Sequence, residues 1–517
     1  MESAGGRHPW TLAHHLRIGS PDEPDALLEF YAHTAAADEI SNLLFAPVFR
    51  YDANGNFIPE LVTELPTYAN GGISKDGKTI ILHFRTGVTW SDGFPVTARD
   101  LLFTYKLVMD DRTNPKLREG WDDIHKIELR GDYTAAIRLR EPNADVLGTC
   151  FGAAAYPPLP EHLLKKIDPA TLQRGAYAAK PVGDGPFMLE SWNHGASLEF
   201  VANPHYWRGQ PKLERITWKV IPNSETLFTQ LQSHEIDLYD GVTPAQIPRL
   251  RNVTGIRVTH RIIANLKHLQ MNTARPNLQD VRVRLAIAEA VDWDRINEDI
   301  YHGYNLRARS DIPPDSWAAP DIPFYRHDPA DARRLLDAAG WRVQRDGYRY
   351  NGNRRLTIEI SSATGNQPNE QAEVQIQSHL RTVGIDMRVR NYPVSLLFAR
   401  DGPLYSGKYD TSWSTDTQGP DPDNEGSWNS AFIPPRGANT SWLNDPAVNQ
   451  TSDAQLRTYD RRARKTIVQK EEARLHELVP AVFLYWENGY AAFNDDFHNY
   501  KPAEYFVNAW NAWEWDI

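Results

Sequence analysis

Gly148-Thr149-Cys150-Phe151-Gly152 has the outline of a nucleophile elbow with cysteine in the nucleophile's place. An elbow must open a helix, but Gly152 is followed at once by three alanines, and the stretch reads as a buried thiol in a small-residue turn. Gly402–Lys408 has phosphate-loop spacing, yet Tyr409 stands where a Ser or Thr hydroxyl must hold magnesium. Gly183-Asp184-Gly185 runs into Pro-Phe-Met, which cannot begin a dinucleotide-binding helix. His476-Glu477 has Pro480 where a zinc protease needs its second histidine. Asp421, Asp423 and Glu425 with Gly426 imitate the opening of a calcium loop, but Phe432 occupies the closing glutamate's position. His8, His14 and His15 could chelate a stray metal, and read as solvated side chains near a mobile terminus. The expectation is therefore a protein that is not an enzyme and has no cofactor and no metal. A hydrolase acting through paired carboxylates has only the abundance of Asp, Glu and Trp behind it.

A chain of 517 residues is too long for one small core and predicts two or three domains. Hydrophobic residues make up 41% and charged residues 24%, ordinary for a globular protein. A net charge of −11 argues against nucleic acid or an anionic membrane as the main partner. Sixteen Trp and 22 Tyr are enough to fill a large core and to line pockets for flexible ligands. With Cys150 the single cysteine, no intramolecular disulfide can form. Leu478–Trp486, the longest apolar run near the C-terminus, is far short of the roughly 20 residues needed to span a bilayer.

Strand and helix patterns alternate along the chain. Ala35–Leu44 predicts a helix, and Phe49–Pro59 a hairpin turning on Asn54-Gly55. Thr79–Arg85 predicts a strand between turns. Thr97 and Asp100 then form a capping-box pair, opening a helix with Leu101, Leu102, Tyr105 and Val108 on its apolar stripe. Phe187–Trp192 and Ser197–Val201 predict paired strands. Asp280 predicts an N-cap, and Asp328–Trp341 a helix with Pro inside its start and Gly340 past its end. Leu356–Ser361, Asn369–Val383 and Ile385–Asn391 form strand, helix and strand, one βαβ unit with a parallel pair. Tyr409–Asn424 predicts a strand that gives way to a loop after Ser414, where Gly, Pro, Asp and Asn dominate.

DGKTIILHFRTGVTWSDGFPVTARD (Asp76–Asp100) closely resembles the signature of family 5 extracellular solute-binding proteins, the peptide receptors of ABC importers. The resemblance continues through PVGDGPFMLESWNHGASLEFVANPHYW (Pro181–Trp207), with Asp184 replacing a small residue between the glycines. It extends through the LQMNTARPNLQDVRVRLAIAEAVDWDRI segment (Leu269–Ile296), which carries Asn272, and covers about Leu43 to Tyr490. It implies an α/β fold of two hinged lobes with an inserted subdomain: lobe I from 1–45, 178–265 and 488–517, the insertion from 46–177, and lobe II from 266–487. It implies capture of di- or oligopeptides in an interlobe cleft, with an oligosaccharide or nickel chelate as alternative ligands. It also implies a periplasmic or extracytoplasmic monomer that reaches the membrane through its permease and has no nucleic-acid partner. MESAGGRHPW shows no basic n-region, apolar core or lipid-attachment cysteine that would direct such export.

In peptide-binding members an Asp three residues after a Trp pairs with the ligand's α-ammonium, and Asp416 holds that place relative to Trp413. A carboxylate there forms a charge-assisted bond and selects a free amino terminus. The expected ligand-binding set is Asp416, Trp413, Trp428, Trp442 and Asn272. Each Trp is either cleft wall or core packing.

Overall fold

The computed structural model describes residues 6–118, 120–152, 156–503 and 508–517. The chain divides into unit 1, Met1–Ile263 with Gly489–Ile517, and unit 2, Ala264–Asn488.

In unit 1, β1 (His15–Ser20) lies parallel to a strand at Arg215–Val220 and to another at Leu238–Asp240. Strands Phe187–Asn193 and Ser197–Ala202 extend this sheet antiparallel. The helix Ala35–Leu44 begins where Thr34 accepts the backbone N–H of Ala37. Gly183 and Gly185 press against its end, where a Cβ at Gly185 would lie 2.5 Å from the Leu43 carbonyl oxygen. Between them Asp184 is buried, its carboxylate accepting the Ala46 N–H at 2.9 Å. Burial pushes its carboxyl up to about 8.

A separate three-stranded sheet of Thr79–His83, Thr134–Leu139 and Ile124–Leu129 sits within unit 1. Beside it, the helix Ala98–Met109 opens with the predicted capping box: the Thr97 N–H donates to Asp100 at 2.8 Å. Leu101 and Val108 are fully buried on its inner face, together with Thr104 and Leu107. Leu102 and Tyr105 lie at the margin of that stripe. Cys150 is buried, and burial raises its thiol well above the ordinary range, as for an inert core thiol. The residues at 153–155 that follow it lie outside the described ones. Of the three N-terminal histidines, His14 is exposed as expected, while His8 and His15 are partly buried. His8 Nε2 lies 2.7 Å from Asp495, its ring stacks on Trp10, and His15 is part of β1.

Unit 2 is built on the βαβ segment. β2 (Thr357–Ser361), a helix at Gln367–Thr382 and β3 (Asp386–Val389) place the two strands parallel, in register Thr357 to Asp386. On its other side β2 runs parallel to β4 (Thr411–Thr417). β4 in turn pairs antiparallel with residues 265–271 of the long strand Ile256–Met271. This corrects the reading of a loop after Ser414. The ladder partners Asn265, Leu266 and Lys267 hold Thr417, Asp416 and Thr415 in the sheet despite their polar side chains. The core beneath is apolar, with Leu269, Met271, Ile358, Ile376, Trp293 and Trp413 among its buried members.

Candidate functional site

Register sorts the side chains of the antiparallel pair. Residues directly opposite share a face and alternate residues change face. Leu269 opposes Trp413 and Lys267 opposes Thr415, whereas His268 opposes Ser414 and Leu266 opposes Asp416.

The first face is an anchor. Trp413 is 1% exposed, stacks on Trp293 with ring centres 6.2 Å apart, and donates its indole N–H to Asn369 Oδ1 at 3.0 Å. Lys267 is buried and donates to the same oxygen at 3.1 Å, its ammonium 6.0 Å from the Trp413 ring centre. Burial lowers the Lys267 pKa, and the Glu487 carboxylate acts against that.

The opposite face carries the polar groups. Asp416 lies one residue from the end of β4, with its side chain 53% exposed. The nearest cation-capable group among its ion-pair contacts is His268, whose Nε2 lies 3.7 Å from Asp416 Oδ2. His268 is buried, with Nε2 3.3 Å from Ser414 Oγ. Beyond it, Thr440 Oγ1 donates to Gln270 Oε1 at 3.0 Å, and the Tyr409 hydroxyl donates to the Thr440 carbonyl.

The other expected ligand residues support the unit from within. Asn272 is 1% exposed; its amide donates to the carbonyls of Gly407 and Tyr409, and its oxygen accepts the Ala274 N–H. Trp428 is buried against Phe483 and donates its indole N–H to Asp311 at 2.6 Å. Trp442 is half-buried with a left-handed φ of 57°, its indole packed on Gly407. The structure thus separates Asp416, an exposed charge, from Trp413, Trp428 and Asn272, which are interior.

The segment after β4 is held by an acidic cluster. Arg464 grips Asp421 with both guanidinium arms. Asn424 donates to Asp311 at 3.3 Å and to Glu472 at 3.0 Å. Burial pushes Asp423 up to about 6 and Glu425 up to about 7, and it raises Asp311 and Glu472 as well. The missed residues are His268, Lys267 and Asn369. The alternation Leu266-Lys267-His268-Leu269-Gln270 signals a strand with a polar group on each face, but its partner becomes clear only from the register.

The profile of bacterial extracellular solute-binding proteins, family 5, matches residues 56–435. The oligopeptide-binding protein AppA of Bacillus subtilis is 24% identical over 497 residues, covering 94% of this chain and 88% of that protein. The structure of AppA from Bacillus subtilis in complex with a nonapeptide superposes with a TM-score of 0.74 at 22% identity, covering 97% of this chain and 98% of AppA. That of NikZ from Campylobacter jejuni in complex with Ni(L-His) gives 0.76 at 24% identity, covering 98% of this chain and all 100% of NikZ. With the family profile spanning most of its length, and with the two-lobed α/β fold of these binding proteins, this chain belongs to the bacterial extracellular solute-binding proteins, family 5.

Proposed function

We propose that this protein captures peptides by their free amino terminus at Asp416 and delivers them to the permease of an ABC importer, without covalent chemistry. The carrying observation is Asp416 itself: a half-exposed carboxylate on a rigid strand end, whose one ion-pair neighbour among the described residues is a histidine. An anion so placed has capacity for a ligand cation. The oligopeptide-binding name of AppA and its nonapeptide complex support peptide as the ligand class. Trp442 would wall the ligand beside Gly407, while Trp413, Trp428 and Asn272 act from beneath by holding strand and loop in place. The protein works as an extracytoplasmic monomer that meets the membrane through its permease. Among the described residues no helix is long and apolar enough to cross a membrane.

Calorimetric titration of one peptide and its N-acetylated form against wild type and Asp416→Asn tests the proposal. Removing one partner of a buried charge pair costs about 2–5 kcal/mol, and exposed pairs are worth less. With Asp416 half exposed, a loss of about tenfold to a hundredfold is expected for the free peptide. Equal wild-type affinities for the two forms would remove Asp416 from the site.

A nickel-chelate reading has one observation in its favour. His268 stands beside Asp416, and the fold is shared with a protein solved with Ni(L-His). Nickel-histidine binding stronger than peptide binding in the same titration would select it.

A further inference from the structure

The two strands that carry Asp416 also bring it a proton-accepting neighbour. His268 lies opposite Ser414 in the ladder, one step along the same face from Asp416. Its ring is buried, with Nδ1 3.4 Å from the Leu266 carbonyl oxygen. Nε2 lies 3.3 Å from Ser414 Oγ and 3.7 Å from Asp416 Oδ2. A carbonyl oxygen only accepts, so the neutral ring places its proton on Nδ1 and turns a lone pair toward Ser414 and Asp416. The Ser414 hydroxyl can donate to that lone pair; the Asp416 carboxylate cannot. In this state Asp416 has no internal cation within ion-pair distance among the described residues.

A second proton on Nε2 reverses the relation. The ring then presents an N–H and a positive charge to the carboxylate 3.7 Å away. We infer that His268 is a positioning residue that makes the anchor proton-sensitive: protonated, it gives Asp416 an internal cation in place of the ligand's ammonium. The inference rests on the proposed role of Asp416.

The other charged groups nearby face elsewhere. Lys267 points to the opposite face, where its ammonium is held by Asn369. Glu487, on the strand Ala481–Asn494, is occupied with Asn265 at 3.0 Å. Tyr409, just before β4, donates its hydroxyl to the Thr440 carbonyl. Among the described residues, Asp416 is therefore the charge that a protonated His268 would meet. Proton and ligand ammonium compete for one carboxylate, and by linkage a single competing proton changes affinity by at most tenfold per pH unit. A ligand with a blocked amino terminus does not enter the competition. The receptor would then hold free-amino peptides more tightly with His268 neutral than with it protonated.

The test is a calorimetric comparison of trialanine and N-acetyl-trialanine at about pH 7.5 and about pH 5.5. For wild type, trialanine should weaken about tenfold or more between the two, and the acetylated form by less than about twofold. In His268→Gln the pH slope for trialanine should largely vanish. Asp416→Asn should lose it too, which keeps the question answerable if the buried substitution fails to fold. Trialanine affinity that is flat with pH in wild type, or an unaltered slope in a folded His268→Gln protein, overturns the inference. Equal affinities for the two peptides at the higher pH would instead refute the role of Asp416.

Discussion

Replacing Glu471 by glutamine should flatten the pH dependence of stability in unit 2. Glu471 lies on the helix Arg461–Leu478 and is 1% exposed. Burial above all, and then the carboxylates of Asp311, Asp423 and Glu425, push its carboxyl from 4.5 up to about 9. Folded, it keeps its proton through most of that interval; unfolded, it gives it up. Raising the pH therefore favours the unfolded chain. The stability is fully present below about 4.5 and drains away as pH climbs towards about 9. One such group contributes a slope of at most about 1.4 kcal/mol per pH unit. For a domain of about 150–250 residues, 1 kcal/mol moves Tm by about 2–4 °C. The slope attributable to Glu471 is then at most about 3–6 °C per pH unit. Glu425 and Asp423, pushed up to about 7 and about 6, add to it in the lower part of the range.

Glutamine keeps the shape and polarity of the protonated acid and cannot titrate. Differential scanning calorimetry of wild type and Glu471→Gln from about pH 6 to about pH 9 reads the difference. The variant should melt close to wild type at the acid end and above it at the alkaline end. Parallel lines for the two proteins would show that Glu471 is ionised in the fold and refute the reasoning.

Arg284, 4% exposed, donates to the carbonyls of Leu278, Gln279, Leu478 and Val479, and burial pushes its own pKa down to about 10. Arg284→Met should cost upwards of about 3 kcal/mol in urea unfolding, since each orphaned buried carbonyl costs about 1–3 kcal/mol; a variant within about 1 kcal/mol of wild type contradicts this. Gly185→Ala should destabilise unit 1 by several °C in a thermal melt, because its Cβ would sit 2.5 Å from the Leu43 oxygen and the Leu44 carbonyl carbon. An unchanged melt would mean that this backbone can move aside.

Local features were legible where neighbouring residues decide them. The Thr97–Asp100 capping box and the helix Ala35–Leu44 stand at the expected residues, because caps and apolar periodicity act over a few positions. The parallel pair of the βαβ segment follows from connection length and handedness. The end of β4 was not legible: Ser414-Thr415-Asp416-Thr417 has loop composition, and strand pairing from residues 265–267 overrides it. The acidic cluster was not legible either, because Asp311, Asp423 and Glu471 come from three distant segments. For the candidate site, the motif supplied Asp416, but the buried and hydrogen-bonded settings of Trp413, Trp428 and Asn272 required the fold.

The spacing of Trp413 and Asp416 itself has a physical reason. On a strand, residues an odd number apart point to opposite faces. Three positions therefore send the indole into the core, where Asn369 and Trp293 fix it, and the carboxylate to the other side, where it is half exposed. A spacing of two or four would put both on one face, burying the charge or exposing the tryptophan. The intervening Ser414 shares the Asp416 face and sits against His268, so the neighbour argued to control the carboxylate is set by the same alternation. Anchoring one face of a strand to position a charge on the other gives the proposed recognition carboxylate the support of the sheet, which a loop carboxylate lacks.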